Sequence, residues 1–327
     1  MSETTSGRQR RRGSVYGWLY VQMAPAWRRL KGAWGVFAEN RLALLGVGLI
    51  ALFAVLAVAH PILMSTVWTE TAAGVRVYHP RTGFDPMVMH PSAPSARHWL
   101  GTDALGRDVL SMLLAATTPE FVLGLTAAIT AAVVGTTIGM ISAYYYRGVV
   151  DTAFTYLSDA ALLMPAPLFM VIISVQFIDS IGPVQFGLLF GVLSGVSSAA
   201  IIMRSYALTV MTKPFIEACR VAGGGAVHII TRHLLPHMLP MAALYMMLTV
   251  TGAVVADGFV SFFGLERVHL NWGSMMFNSF TSAMALGTGY EWHTLIPPSV
   301  ALSLFAAAFY LVSRGLHEIA DPRLRER

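Results

Sequence analysis

The sequence predicts an all-α integral membrane protein with six transmembrane helices, and three observations carry that expectation. Of its 327 residues, 55% are hydrophobic and only 12% charged, and the mean hydropathy of +0.62 lies above that of water-soluble domains of this size. Six apolar runs each approach the length of about 20 helical residues that a hydrocarbon core of about 30 Å demands. With the N-terminus placed inside, 17 of the 22 Lys and Arg residues fall in the inner segments, the asymmetry expected of cytoplasmic loops. Both termini are therefore expected in the cytoplasm.

Residues 1–13, MSETTSGRQRRRG, pair low hydrophobicity with an arginine run and read as a disordered tail. The stretch 16–40 sets Trp18, Tyr20, Trp27, Trp34 and Phe37 among Arg28, Arg29 and Lys31. It reads as an amphipathic helix on the inner membrane surface or as a plain extension of the first span. That span, 42–64, is too long for the apolar part of a secretion signal and lacks a small-residue cleavage site, so it reads as a retained anchor. A polar, proline-bearing extracytoplasmic loop occupies 65–118. Thr118, Pro119 and Glu120 then resemble a helix start: a capping hydroxyl, a proline and an acid at the positive helix end. The second span is accordingly expected at 121–146 and the third at 153–178, interrupted by Pro165 and Pro167. Spans at 186–210, 238–263 and 295–313 complete the six. The expected organisation is a basic tail and surface helix at 1–40, a first span at 41–64, the loop at 65–118, a membrane core at 119–314 and an inner tail at 315–327.

The net charge of +5 and pI near 9.5 come from basic residues at the membrane edge. They point to anionic lipid as the partner and not to nucleic acid. Cys219 is the only cysteine, which excludes an internal disulfide and any multi-cysteine metal site. The two lysines, Lys31 and Lys213, sit in no phosphate-cradling loop. No paired carboxylates, serine-histidine-acid order or nucleophile elbow is recognisable, so an enzyme is not expected.

The most informative stretch is 214–236, PFIEACRVAGGGAVHIITRHLLP, within the loop at 212–236 between the fourth and fifth spans. Pro214 suits a first helical turn, Gly223, Gly224 and Gly225 permit a sharp break, and AVHIITRHLL resumes a helix that Pro236 is expected to end or kink. Glu217 with Val221 and Arg220 with Gly224 are i, i+4 neighbours on a short mixed-charge face. Such a helix, joint and helix suits docking into a groove on a soluble partner, although the pattern alone favours an ordinary amphipathic connector.

EACRVAGGGAVHIITRHLLP resembles the EAA loop of ABC-importer membrane subunits. Glu217, Ala218, Gly223, Leu234, Leu235 and Pro236 fall on the pattern, and Cys219 replaces its second alanine. RLALLGVGLI, HWLGTDALGRDVLS, DGFVSFFGLERVHLNWGSMM and RGLHEIADPRLR are similar to further segments of one branch, the peptide/nickel-type permeases, in particular the dipeptide and oligopeptide C-type subunit. The resemblance implies a MetI-like core over spans two to six, an extra N-terminal span, and an importer of peptides or a related solute. It also implies a second homologous permease subunit forming a heterodimeric pore, two cytoplasmic ATP-binding subunits that carry the ATP and Mg, and an extracytoplasmic solute-binding protein. Glu217, Ala218, Arg220, Gly223, Gly224 and Gly225 would form the coupling helix against an ATPase. The alternative is a self-contained secondary transporter or channel, which commonly shows repeated halves and midplane acid pairs; neither is evident.

Asp159 and Asp257 are the acids deepest in apolar sequence and should face protein or water. For Asp159, where the related pattern has an arginine three residues earlier but this chain has Tyr156, a buried hydrogen bond is expected. The resemblance implies a place beside the translocation path for Asp257, Trp272 and Met275. Asp103, Arg107 and Asp108 in GTDALGRD suit a capped turn leading into a helix. No metal is expected: Pro236 interrupts the helix joining His233 to His237, His79, His90 and His98 lack ligand spacing, and thiolate ligation would rest on Cys219 alone.

Overall fold

The computed structural model describes residues 35–320 apart from 36, 73, 178–180, 266–269 and 287–290. The tail at 1–13, most of the surface helix at 16–40 and residues 321–327 of the inner tail lie outside the described residues. Among the described residues, five helices are long and apolar enough to cross a membrane, and a bent pair supplies a sixth crossing if counted as one span.

Asn40 opens α1 (Arg41–Thr66) by accepting from the backbone N–H groups of Leu42 and Ala43 at 3.0 and 3.1 Å. This satisfies two of the donors that every helix start leaves without intrahelical partners. A small hairpin follows, β1 (Thr71–Ala72) against β2 (Val75–Arg76), with Thr71 opposite Arg76.

The rest of the loop is organised around buried His98, whose Nδ1 lies 2.7 Å from Asp108 and whose Nε2 lies 3.1 Å from Asp85. Burial works against a charged imidazole, but the hydrogen bonds and charges of Asp108 and Asp85 outweigh it and raise the His98 pKa. Burial likewise opposes ionisation of Asp85; the Met87 N–H, His98 and Arg97 hold its carboxyl below the ordinary range. Asp103 accepts from the Leu105 and Arg107 N–H groups and pairs with the Arg107 side chain at 2.7 Å. GTDALGRD is thus the capped turn that its residue types predict.

Asp108 ends that turn by accepting from the Ser111 N–H at 2.7 Å, and α2 (Val109–Tyr144) begins there. The helix start expected at Thr118-Pro119-Glu120 is therefore corrected: Pro119 lies inside α2. A proline removes one N–H and crowds the carbonyl four residues back, a defect that neighbouring groups in a membrane bundle absorb. Two residues before the carbonyl of Ala115, which Pro119 leaves without its helical donor, the Thr117 hydroxyl and the Trp272 indole N–H both donate to the Leu113 carbonyl at 3.2 Å.

The expected third span is an elbow. Helices α3 (Val149–Leu162) and α4 (Ala166–Gln176) meet at 78°, because Pro165 caps α4 and Pro167 fills its first turn. The fourth span is continuous through α5 (Pro183–Ser194), a π-helical turn at Gly195–Ala199 and α6 (Ala200–Met211). Helix α7 (Pro214–Val221) precedes the fifth span, built from α8 (Ala226–His228), a second π-helical turn at Ile229–Leu234 and α9 (Leu235–Phe262). Of the two outcomes expected at Pro236, an end or a kink, the helix does not end there: the wider π turn just before it leaves room for the ring. The segment expected as an outer loop holds α10 (Trp272–Leu286), and α11 (Trp292–Ala320) closes the bundle.

Small residues set the helix spacing. Gly135 and Gly139 of α2 meet Ala199 and Met203 of the fourth span, while Gly187, Gly191 and Gly195 of that span meet Leu123, Thr130 and Val134 of α2; a Cβ on any of the five would lie 2.6–2.8 Å from these neighbours. This is the close approach that small residues four apart permit where lipid supplies no hydrophobic drive. Phe53 of α1, Trp272 of α10 and Phe305 of α11 form the aromatic centre, with ring centroids 5.1 to 5.7 Å apart. A second apolar cluster fills the α7 end of the bundle.

Candidate functional site

Lys213 and Pro214 start α7, the proline standing where a first-turn N–H has no intrahelical acceptor. Of the eight residues in α7, only Ile216 is buried, while Glu217, Ala218 and Arg220 are exposed. The helix ends by a defined device. The Gly224 N–H donates to the Cys219 carbonyl at 2.9 Å and the Gly223 N–H to the Arg220 carbonyl at 3.0 Å, the paired bonds of a Schellman stop. Its reversal needs a left-handed residue, and Gly223 has φ of 85°. Gly225 then caps α8 in extended conformation. The sequence reading of helix, joint and helix matches this arrangement.

Ile216 is the anchor of the segment. It enters a buried cluster with Met140 of α2, Met203 and Val210 of α6, Leu234 of the π turn and Met238 of α9. The Arg220 guanidinium lies 5.8 Å from the Tyr144 ring centre at the end of α2, and Phe215 stacks on His237 with centroids 5.3 Å apart. Packed interiors have little free volume to absorb a displacement. Ile216 thus ties α7 into one packed cluster with α2, α6 and α9.

Asp257, Trp272 and Met275 lie elsewhere, enclosed by their own chain at 0%, 0% and 3% exposure. Asn271 donates through one nitrogen to Asp257 and to Ser261, both at 2.6 Å, and accepts from the Ser274 N–H at 2.8 Å. This network ties α9 to the start of α10. Asp159, expected in a buried hydrogen bond, is exposed, because α3 turns that face away from the bundle.

Residues 135–326, more than half of the chain, match the family described as "Binding-protein-dependent transport system inner membrane component". The chain belongs to this family of membrane permeases. The dipeptide transport system permease protein of Alkalihalophilus pseudofirmus is 26% identical over 309 residues, which cover 94% of this chain and 92% of that protein. The glutathione transport system permease protein of Pectobacterium atrosepticum is 28% identical over 235 residues, 71% of this chain and 75% of its own. A Brucella suis protein bearing a peptide transport system permease name is 30% identical over 238 residues, 71% and 76% of the two chains.

Three features of this permease escaped sequence reasoning. Asp151 of α3 accepts two bonds from Arg204 of α6, at 2.6 and 2.8 Å; 53 positions separate them, and only the fold reveals the pair. At the α3–α4 elbow a cleft of about 320 Å³ opens, lined among others by Met164, Ser194, Ser197, Ser198, Tyr245 and Thr249. The first π turn supplies Ser197 and Ser198 to it, as such turns often do at functional sites. Finally, Cys219, His228 and His233 hold their ligand atoms within 4.8 Å of one another. Cys219 remains the single thiol of this group, and the π turn at Ile229–Leu234 brings both histidines round to it.

Proposed function

We propose that this permease imports peptides as one half of a heterodimeric pore, with α7 receiving the stroke of a separate cytoplasmic ATPase. ATP and Mg would be held by two such partner subunits, and an extracytoplasmic solute-binding protein would deliver the substrate. The chain itself would be no enzyme. The observation that carries this reading is the division of α7: a mixed-charge face open to a partner, and one apolar anchor, Ile216, sunk among three spans. A rigid, capped helix is a lever; the Schellman stop and the Ile216 anchor set its angle.

The excess of Lys and Arg in the segments on the α7 side supports a bacterial or archaeal plasma-membrane protein with both termini cytoplasmic. The dipeptide and glutathione names of the relatives support a peptide-like cargo. The elbow cleft, with hydroxyls of serine, threonine and tyrosine on an apolar ground, suits peptide amide groups and is assigned to the solute path. Asp257, Trp272 and Met275 are assigned instead to holding α10 in place.

The test is reconstitution of the permease with its sister subunit, ATPases and binding protein in proteoliposomes. Glu217→Lys reverses the charge on the exposed face of α7 and should separate ATP hydrolysis from peptide uptake while insertion stays normal. Unchanged uptake per ATP would remove α7 from the coupling role.

A further inference from the structure

We propose that Cys219, His228 and His233 form a binding site for a divalent transition ion that favours thiolate and imidazole, with Zn²⁺ the ion of choice. The inference concerns the joint itself and is independent of what the permease carries. The three ligand atoms lie within 4.8 Å of one another. A tetrahedral zinc site, with bonds of about 2.3 Å to sulfur and about 2.0 Å to nitrogen, spaces its ligands about 3.5 Å apart, so small side-chain rotations complete the set.

The local backbone favours this arrangement. Residues five apart point about 140° away from each other on an α-helix of 3.6 residues per turn, whereas a π turn brings the fifth residue back towards the same face. His228 and His233 span the π turn at Ile229–Leu234, and their ring centroids are 5.4 Å apart. Cys219 comes from the other side of the glycine joint. Gly224 packs so closely on it that a Cβ there would lie 2.6 Å from the sulfur. Cys219 and His233 are half-buried and His228 is exposed, which leaves the site open to solvent and a fourth position for water. Of the flanking cations, Arg220 is drawn towards the Tyr144 ring. Arg232 is exposed.

Binding converts the thiol to thiolate, its proton passing to solvent, and the ion then bridges α7 to the start of the fifth span. The angle at Gly223–Gly225 becomes fixed. Such an ion would act as a staple on the segment through which α7 moves the bundle.

Because Cys219 is the only cysteine in the chain, maleimide alkylation of the full-length permease in nanodiscs reads this one site. Zn²⁺ should slow alkylation by about tenfold or more, since a metal-bound thiolate is withheld from the reagent, and a chelator should restore the rate. Co²⁺ should give a thiolate-to-metal absorption band. Both signals should vanish in the His228→Ala/His233→Ala variant, whose thiol should alkylate at the metal-free rate, and persist in His237→Ala. Wild-type alkylation that Zn²⁺ leaves unchanged would overturn the proposal without recourse to any variant. So would a cobalt band that survives loss of both histidines.

Discussion

Arg204 grips Asp151 with two nitrogens, Nε at 2.6 Å and Nη2 at 2.8 Å, and fastens the start of α3 to α6. The Arg147 N–H donates to the same carboxylate at 2.9 Å from a residue held at φ of 61°. Asp151 thereby fixes both the turn out of α2 and the base of the elbow. Two-pronged pairing of a planar guanidinium is stronger and more directional than a lysine contact.

Arg204→Ala should lower stability by about 3 kcal/mol, because it strands a carboxylate that is nearly buried. Thermal unfolding of the detergent-solubilised chain measures this. The exchange Asp151→Arg/Arg204→Asp should recover part of the loss, and an exchange that recovers none would show that the pair contributes nothing of its own.

The loop around His98 should have a pH window. His98 has its pKa raised in the fold, so its contribution is complete below the ordinary value of 6.5 and fades as pH climbs through the raised one. Asp85 has its pKa lowered, so its contribution is complete above 3.8 and fades as pH drops through the lowered one. The protection of amides in residues 92–108, with exchange corrected for its intrinsic pH dependence, should therefore be greatest between these limits. His98→Gln should abolish the alkaline limb, and an identical profile in that variant would place the titration elsewhere.

At the joint, neighbouring glycines should differ sharply. Gly223→Ala forces a side chain into the left-handed region, at about 1–2 kcal/mol. Gly225→Ala meets no atom within 4 Å and keeps an ordinary backbone. Peptide uptake per ATP hydrolysed should fall for Gly223→Ala alone. Equal behaviour of the two variants would mean that the angle of α7 does not matter.

Asn271→Leu and Ser198→Phe should split stability from selectivity. The first removes a buried donor from Asp257, a loss of about 1–3 kcal/mol, and should lower the unfolding temperature while the range of peptides taken up is unchanged. The second fills the elbow cleft and should narrow that range, with ATP hydrolysis preserved. The opposite pattern would return Asp257 to the solute path and take the cleft out of it.

The spans and the jointed segment were legible in the sequence because each is a local matter. Twenty or so apolar residues must hide their backbone in helices, and three glycines beside a charged octet must break one. Helix ends were less legible, since Thr118-Pro119-Glu120 and Asp108 both read as starts. Only the bond from His98 shows why Asp108 prevails, and only the fold brings Trp272, 159 positions beyond Leu113, to that residue's carbonyl. His233 was weighed only with His237, and His228 was passed over because a helix of ordinary pitch sets it and His233 on different faces.

By itself, then, the chain determined that it lives in a bilayer, how many times its apolar runs approach a crossing, and where the mechanical joint lies. Hydropathy and glycine conformation act over a few turns and need no distant partner. Tertiary structure alone decided which acids are enclosed, that Asp151 belongs to Arg204, that the third span is an elbow with a cleft in its crook, and that a thiol meets two imidazoles across the joint. Those outcomes depend on atoms brought within a few ångströms from remote positions, a quantity that packing sets and residue order does not display.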